Sequence, residues 1–318
     1  MLRLASFQTV CASKLNLWNS ALIFTHGSAL SNFSLFLAID AGLIEAHGVE
    51  VAAPALDGFA STASRLRDGT AEIGTTGFTQ VLADAEDPDP LVIVAGSGIC
   101  GMALVGRPET ALSDVRGAVG TFGDDPMAVL LADELARHGI EDQVVIRHLT
   151  SLVEAADALL SSAVNVITTV EPWISKLVAK GYSLLSDGTE VWGSRYPDTV
   201  LVARRSTVAA KHDQIISVIS AMLEAERMIL DDPDSALAVV AHRFPLFTHM
   251  ELLAGLTGQP PCVDLRGLES TILNRWSTVR QLAGLPDCAP PAGLIDFTCL
   301  VAALARETPI LTRGRNIQ

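Results

Sequence analysis

The sequence has few aromatic side chains and few basic ones. Of its 318 residues 5% are aromatic, and 22 lysines and arginines stand against 36 acidic residues, which gives a net charge of −14. A nucleic-acid binder needs a basic face to neutralise phosphates, and a single-strand binder adds aromatic side chains for base stacking. An acidic surface is also repelled by anionic lipid headgroups. These shortages exclude nucleic acid as the main partner and disfavour attachment to an anionic membrane.

Long hydrophobic runs are also absent. Apolar runs such as LVIVA at residues 91–95 are far shorter than the roughly 18 residues that span a bilayer, so no membrane span is predicted. Residues 1–20 contain no continuous apolar stretch and no small-x-small cleavage site, which is atypical of a secretory signal. We therefore expect a cytoplasmic protein as encoded. A periplasmic or other extracytoplasmic location is the alternative if the true start lies upstream.

No residue pattern in the sequence is typical of a metal or cofactor site. The five cysteines show no C-x-x-C spacing, and no histidine pairs with a second ligand at zinc spacing, so reduced thiols and no metal are predicted. The G-x-G-x-x-G motif at residues 96–101 is followed by MALVGRP, which reads as a strand. A dinucleotide fingerprint must open a helix, so we interpret these glycines as a hinge crossing and predict no cofactor. Because no G-x-S-x-G elbow occurs either, no catalytic residues are predicted.

The chain does contain an alternation of short β-type runs and helical stretches. Apolar residues make up 49% of it, and the length predicts about two domains. The alternation is typical of α/β units with largely parallel sheets and helices on both faces. It covers one stretch before residue 98, begins again near residue 106 and changes to a helical tail after residue 199. The predicted organisation is an N-terminal extension over 1–20, one lobe from 21–98 and 199–318, and a second lobe from 99–198.

Apolar spacing within these units predicts the individual helices. Residues 32–46 and 209–230 each have a continuous helical pattern, and apolar residues over 268–282 share one helical face. Each of these three stretches is predicted as a single helix. The lobes are predicted to be joined by two hinge crossings, near residues 96–106 and 191–199.

Five segments carry a family resemblance, and they occur in the family's order: SNFSLFLAIDAGLIEAHGVEV, LRDGTAEIGTTG, LVIVAGSG, LSDVRGAVGTFG and AVNVITTVEPWISKLVAKG. Together they resemble the nitrate/sulfonate/taurine and thiamine-precursor family of ABC-importer solute-binding proteins. One departure is Asn165, where the family usually has Asp. The resemblance implies a type II periplasmic-binding-protein fold, with two α/β lobes, two hinge crossings and a ligand held between the lobes.

The candidate site residues follow from that architecture. Ligands of open α/β sheets bind at the carboxyl ends of the strands, where backbone N–H groups and helix N-termini point at them. We therefore assign the ligand site to the loops that follow five predicted strands. The candidate residues are His26, Gly27, Ser28, Ser31, Asn32, Thr75, Thr76, Gly77, Ser97, Gly98, Phe122, Asp124, Asp125, Thr169, Glu171 and Trp173.

The turn at residues 121–126 predicts the charge of the ligand. Asp125 is expected to be the N-cap of a helix that begins with Pro126, which has no N–H to donate. Asp124 and Glu171 add negative charge nearby. An oxyanion would be repelled here, so the ligand is predicted to be neutral or cationic, such as an amine or an aminopyrimidine. Phe122 and Trp173 would form apolar or cation–π walls.

The function predicted from these observations is capture of a small organic ligand by hinge closure, without turnover. If the protein is exported, an ABC permease is the implied partner. Two alternatives remain open at this point. One is a cytoplasmic enzyme of thiamine-precursor or sulfur metabolism built on the same scaffold, and the other is a cytoplasmic ligand sensor that presents its closed form to a protein partner.

Overall fold

Two sheets of five strands organise the part of the chain that the computed structural model describes, residues 21–52, 59–123 and 125–313. The N-terminal extension predicted for residues 1–20 and the candidate site residue Asp124 lie outside the described residues. The strands in chain order are β1 (Leu22–Thr25), β2 (Val51–Ala52), β3 (Ile73–Gly77), β4 (Leu91–Gly96), β5 (Met102–Gly106), β6 (Gly117–Thr121), β7 (Val144–His148), β8 (Val166–Val170), β9 (Ser183–Ser186) and β10 (Thr199–Arg204).

Helices cover both faces of the sheets and form the C-terminal part of the chain. In chain order they are α1 (Phe33–Asp40), α2 (Leu43–Ala46), α3 (Phe59–Arg67), α4 (Phe78–Ala83), α5 (Pro126–His138), α6 (Leu152–Leu160), α7 (Trp173–Ala179), α8 (Thr189–Trp192), α9 (Arg205–Ala210), α10 (His212–Asp231), α11 (Pro233–Val240), α12 (His249–Gly258), α13 (Glu269–Leu273), α14 (Trp276–Leu282) and α15 (Thr298–Arg313). Short 3-10 turns link several of them.

The two sheets have the same arrangement of strands. The first has the order β2-β1-β3-β10-β4, and the second has the order β7-β6-β8-β5-β9. In each sheet the first three strands are parallel, and the fourth, β10 or β5, is antiparallel to both of its neighbours. β4 ends the first sheet, and its continuous apolar sequence matches its burial on both faces, since all six of its residues are buried. The loops after β1, β6, β7 and β8 therefore lie at carboxyl ends of parallel strands.

Three of the predicted helices are divided in the structure. The pattern over residues 32–46 forms α1 and α2, because Gly42 between them adopts a left-handed conformation with φ of +69°. The stretch over 209–230 includes the end of α9 and nearly all of α10, which begins after Lys211. The apolar face over 268–282 belongs to the two helices α13 and α14. Apolar spacing continues across each break, since the successive helices pack on the same core.

The two crossings between the sheets are shorter than predicted, residues 97–101 and 193–198, and they pair with each other. The amide of Cys100 donates to the carbonyl of Tyr196 at 2.8 Å, and Ile99 and Pro197 form an antiparallel bridge. The G-x-G-x-x-G motif thus lies in a crossing segment and opens no helix. These paired segments are the hinge that the sequence predicted.

A third segment, residues 259–262, joins the hinge from the C-terminal part of the chain. The amide of Ile99 donates to the carbonyl of Pro260 at 3.3 Å. The side-chain amide of Gln259 donates to the carbonyl of Cys100 at 3.1 Å and to Oδ2 of Asp198 at 2.8 Å. One side chain therefore ties all three hinge segments together.

Candidate ligand-binding site

A cavity of about 640 Å³ lies between the two lobes. Its wall is formed by Gly27, Ser28, Ala29, Phe122, Gly123, Asp125, Met127, Leu149, Thr150, Ser151, Leu152, Val153, Glu171, Pro172, Trp173, Arg243, Phe244, Pro245, Leu246 and Phe247. Most of these residues are apolar. A volume of this size is typical of sites for organic molecules, which occupy pockets of roughly 300–1,000 Å³.

The first lobe contributes the loop after β1 and the loop between α11 and α12. Among the wall residues that the structure describes, Arg243 is the one cation, and its guanidinium is already engaged. Its Nε donates to Oδ2 of Asp40 at 2.6 Å, a second nitrogen donates to Oδ1 of the same carboxylate, and the guanidinium lies 4.7 Å from the ring centre of Phe36. This bidentate pair fixes Arg243 and neutralises its charge.

The second lobe contributes the loops after β6, β7 and β8, which all lie at one edge of its sheet. The loop after β6 supplies Phe122 and leads into α5. The loop after β7 supplies residues 149–153, and the loop after β8 supplies Glu171 and Trp173. The cavity therefore has the position at the carboxyl strand ends that the sequence predicted for the ligand.

Asp125 caps α5 and lies on the cavity wall at the same time. Its Oδ1 accepts a hydrogen bond from the amide of Met127 at 2.8 Å, and Pro126 occupies the first helical position, as predicted. The residue is 4% exposed. Burial raises the pKa of Asp125 to about 7, and the neighbouring charge of Asp198 adds to the rise.

Two further carboxyl groups are buried near the same place. Burial raises the pKa of Asp198, the last residue of the hinge, to about 6, although hydrogen bonds from Ser31, Thr199 and Gln259 oppose the rise. Glu171 accepts hydrogen bonds from the amide and the hydroxyl of Ser175, both at 3.0 Å. Burial is the larger effect on Glu171 and raises its pKa as well.

An aromatic contact between the lobes closes one side of the cavity. The ring of Trp173, at the start of α7, meets the ring of Phe247 edge-on with 5.0 Å between centroids. Nζ of Lys176 lies 4.8 Å from the Phe247 centroid and donates to the carbonyl of Leu246 at 2.5 Å. Because Trp173 and Lys176 belong to the second lobe and Leu246 and Phe247 to the first, these contacts hold the lobes together.

Six of the predicted site residues lie on the cavity wall: Gly27, Ser28, Phe122, Asp125, Glu171 and Trp173. Others are buried and lie off the wall: His26, Ser31, Asn32, Thr75, Thr76, Gly77, Ser97, Gly98 and Thr169. Several of these hold the hinge or the contact between the lobes. The hydroxyls of Ser31 and Thr199 share a hydrogen bond of 2.7 Å, and a Cβ on Gly77 would lie 2.5 Å from Cδ of Pro126 in the other lobe.

His26 is adjacent to the cavity but is itself 2% exposed. Its Nδ1 is 2.9 Å from the carbonyl of Gly27, and its ring packs edge-on against Phe36. Burial is the largest effect on the pKa of His26 and lowers it, so the ring is neutral at neutral pH. Its Nε2 and the hydroxyls of Thr25, Thr75, Ser97 and Thr169 have no hydrogen-bond partner among the described residues.

Sequence reasoning missed the part of the wall formed by residues 243–247 and 149–153. The segment RFPLF at 243–247 begins shortly after α11 ends, and it carries two phenylalanines in a chain that is poor in aromatics. That local concentration is a signal that could have marked it. Residues 149–153 follow β7, and their role requires knowing that β7 is parallel to β6.

No group of three histidine, cysteine, aspartate or glutamate side chains among the described residues is arranged to hold a metal ion. Likewise, no helix within them has the length and the apolar character needed to cross a membrane.

Comparison with solved structures identifies the architecture. The aliphatic sulphonate binding protein SsuA of Escherichia coli superimposes with a TM-score of 0.73 and 16% identity over 85% of this chain and 90% of that one. The alkanesulfonate-binding protein SsuA of Xanthomonas axonopodis pv. citri gives 0.75 and 18%, over 87% and 98%. The nitrate-binding protein NrtA of Synechocystis PCC 6803 gives 0.70 and 11%, over 93% and 91%. At these identities the likeness establishes the fold, and the predicted two-lobed α/β architecture is confirmed.

Comparison of sequences identifies the family. No curated protein sequence matches the chain significantly. The profile of the NMT1-like family matches residues 26–243, which include all of the predicted site residues and both hinge crossings. Because this match extends over more than half of the sequence, the chain belongs to the NMT1-like family.

Proposed function

We propose that this chain is a solute-binding protein that captures a small organic ligand between its two lobes. The observation that carries the proposal is the cavity of about 640 Å³, whose wall combines loops from both lobes at the carboxyl ends of parallel strands. A site divided between two lobes is completed only when they approach each other, so binding and closure are the same event.

The hinge supplies a physical route for closure. Two extended segments, residues 97–101 and 193–198, connect the lobes and hydrogen-bond to each other, and residues 259–262 pair with the first of them. Changes in backbone dihedrals within such segments move two packed bodies with little change inside either one. Contacts such as Trp173 with Phe247 then stabilise the closed form around the ligand.

The ligand proposed here differs in charge from those of the relatives named above. Those proteins are described as binding sulphonates or nitrate, which are anions. In this chain the N-terminus of α5 is poorly suited to an oxyanion, because Pro126 has no N–H and Asp125 occupies the amide of Met127. A neutral or cationic organic ligand is therefore the better fit.

The partner and the location are part of the same proposal. Solved relatives include ligand-binding components of ABC import systems, so a membrane permease is the proposed partner if this protein works outside the cytoplasm. The proposed location is cytoplasmic as encoded, with an extracytoplasmic location as the alternative. Fractionation of cells that express the native gene, with antibody detection of the protein, distinguishes the two.

A solute screen tests the function without assuming a ligand. Purified protein is mixed with a library of small amines, pyrimidines, sulfonates and neutral solutes, and the melting temperature is measured for each. A ligand that binds only the folded state at a hundred times its dissociation constant adds about 2.7 kcal/mol of stability, which is a shift of several degrees. Small-angle scattering on the hits must show a smaller radius of gyration. If no solute both raises the melting temperature and contracts the protein, the proposed function is wrong.

A further inference from the structure

Three carboxyl groups are buried at the lobe interface, and no cationic side chain of the described residues forms an ion pair with any of them. Asp125, Glu171 and Asp198 are 4%, 5% and 2% exposed. None of the ion pairs formed among the described residues includes any of the three. A buried carboxylate without a positive partner is costly, because burial removes its hydration and hydrogen bonds from neutral groups replace only part of it.

Two of these groups are on the cavity wall, where a bound molecule would meet them. Asp125 and Glu171 both line the cavity, and both are in the second lobe. Only one oxygen of Asp125, Oδ1, has a hydrogen-bond partner among the described residues. The remaining oxygen can accept a hydrogen bond from a ligand. Asp125 is thus placed to contact a ligand directly, and Glu171 lies on the same wall with both of its oxygens also accepting hydrogen bonds from Ser175.

The wall provides no free positive charge that would bind an anion. Arg243 is the one cation among the described residues of the wall, and the bidentate contact with Asp40 neutralises it. Lys176, beside the wall, donates to the carbonyl of Leu246 and lies 3.9 Å from the carboxylate of Glu251. His26, beside the wall, is buried and neutral. Among the described residues of the wall, the carboxyl groups of Asp125 and Glu171 are the charged groups left without an opposite charge, so a ligand of positive sign is favoured.

The remainder of the wall selects an apolar body. The chain has ten phenylalanines, four tryptophans and two tyrosines in 318 residues, yet four of these aromatics are among the residues of the wall. They are Phe122, Trp173, Phe244 and Phe247. Aromatic walls bind apolar and aromatic groups, and they also attract organic cations through their π faces.

From this combination we infer that the cavity selects an organic cation, an ammonium-type group on an aromatic or branched apolar body, with Asp125 and Glu171 as the residues that recognise its charge. The inference rests on the proposed function and specifies its ligand class. In such a complex, Asp125 and Glu171 would balance the ligand's charge, and the aromatic side chains would enclose its body. The ligand would thereby supply the positive partner that the buried carboxylates lack.

Charge-matched probes test this inference. Benzyl-, phenethyl- and naphthylmethylammonium ions are compared with the corresponding alcohols and sulfonates by thermal shift and titration calorimetry, since each set shares one apolar body. We expect at least one ammonium ion to bind at least about tenfold more tightly than its alcohol, and its sulfonate not to bind, because at an effective dielectric of about 20 a single charge contact at about 4 Å contributes more than that factor. Equal or tighter binding of the alcohols or sulfonates would overturn the inference, and so would the absence of any shift with all the ammonium ions.

Conservative variants then identify the recognising residues. Asp125→Asn and Glu171→Gln keep the size of each side chain, and Asn also caps helices well, so both variants are expected to fold. Each should reduce the preference for ammonium over alcohol by about tenfold. Glu141→Gln, an exposed residue outside the cavity wall, removes the same charge and should leave the preference unchanged. A preference that survives in both cavity variants would contradict the assignment.

The outcome of the solute screen separates the two proposals. If a neutral or anionic solute raises the melting temperature and contracts the protein, the solute-binding function holds and the inference about the cation is wrong. If ammonium ions bind without any contraction of the protein, the charge preference holds and the proposal that binding closes the two lobes is wrong.

Discussion

Asp125 shows how one side chain serves the fold and the site together. Its Oδ1 caps α5 through the amide of Met127, and the residue also faces the cavity at 4% exposure. The cap contributes stability at the helix N-terminus. Burial opposes ionisation of the Asp125 carboxyl group, and its pKa of about 7 reflects that energetic cost. The free protein therefore carries an unfavourable group that a positive ligand would relieve.

Asp125→Asn is expected to stabilise the free protein above neutral pH. The pKa of Asp125 is raised from 3.8 in the unfolded chain to about 7 in the folded one. Below pH 3.8 both states are protonated, so burial has no ionisation cost there. Between those two values the unfolded state loses its proton first, and folding stability falls as the pH rises. The asparagine side chain does not ionise, so the variant does not lose this stability. The free energy of unfolding of the variant, relative to that of the native chain, should therefore increase from pH 4 to pH 8 by on the order of 2 to 4 kcal/mol, measured by denaturant unfolding.

Asp89→Asn is the matched control with the opposite sign. The hydroxyl and amide of Ser206 donate to Asp89 at 2.5 and 2.8 Å, and these bonds lower the pKa of Asp89. A lowered pKa stabilises the folded state above the unfolded pKa, and that stability is lost as the pH falls through the folded value. Asp89→Asn should therefore weaken the protein at pH 8 and have little effect in acid. The same pH trend in both variants would contradict the opposite pKa shifts of Asp125 and Asp89.

At the scale of elements, the lobes approach each other closely where β3 ends and α5 begins. Gly77 is the last residue of β3, and a Cβ on it would lie 2.5 Å from Cδ and 2.8 Å from Cγ of Pro126. A proline ring is rigid and cannot move aside as a flexible side chain would. The lobes can therefore reach this closed arrangement because residue 77 has no side chain.

Gly77→Ala is expected to oppose closure while each lobe stays intact. The backbone of Gly77, with φ of −63° and ψ of 142°, is allowed for alanine, so the clash arises only between lobes. We expect a larger radius of gyration in small-angle scattering and at least about tenfold weaker binding of any solute found by the screen, since overpacking costs about 1–3 kcal/mol. The melting temperature of the unliganded variant should change by only a few degrees.

Gly74→Ala is the comparison within one lobe. A Cβ on Gly74 would lie 2.4 Å from Cγ2 and 2.5 Å from the carbonyl oxygen of Thr25 on the adjacent strand β1. This clash is present whether the lobes are open or closed. Gly74→Ala should therefore lower the melting temperature strongly, and equal losses of stability in the two variants would show that Gly77 is not a contact specific to closure.

At the scale of the whole molecule, the two lobes share one of their cores. A single hydrophobic cluster contains Phe78 and Leu91 of the first lobe together with Val119 and Met127 of the second. The helix α14 packs against both α4 and α5, and its Trp276 belongs to the same cluster. Loss of packing in either lobe therefore exposes apolar surface in the other.

The shared core predicts one unfolding transition for both lobes. In scanning calorimetry we expect a single peak, with calorimetric and van't Hoff enthalpies that agree. Trp276→Ala should lower its temperature markedly, because truncating a buried tryptophan costs about 3–5 kcal/mol. Leu230→Ala, at a leucine that is 63% exposed, is the control and should have little effect. Two resolved peaks in the native chain would mean that the lobes unfold independently.

The predictability of the fold and the site differed between regions of the chain. The strands were predicted well, since short apolar runs such as β4 and β8 are buried on both faces and have a composition to match. The cap by Asp125 followed from the local sequence alone. The division of the helix over 32–46 depended on the conformation of Gly42, which the apolar pattern does not record. Residues 243–247 were missed as site residues because their position comes from packing against the other lobe.

The sequence by itself determined the α/β class, the family resemblance, the loops that carry Asp125 and Glu171, and the surplus of acidic groups near the ligand. These features are encoded by residues close together in the chain, through the periodicity of apolar residues, helix capping and the local content of acidic residues. Only the tertiary structure decided that Arg243 is neutralised by Asp40, that Phe247 meets Trp173, and that Gly77 meets Pro126. The partners in these contacts come from segments far apart in the sequence. Their contacts depend on how two sheets pack around a shared core and hinge, and no local pattern specifies that packing.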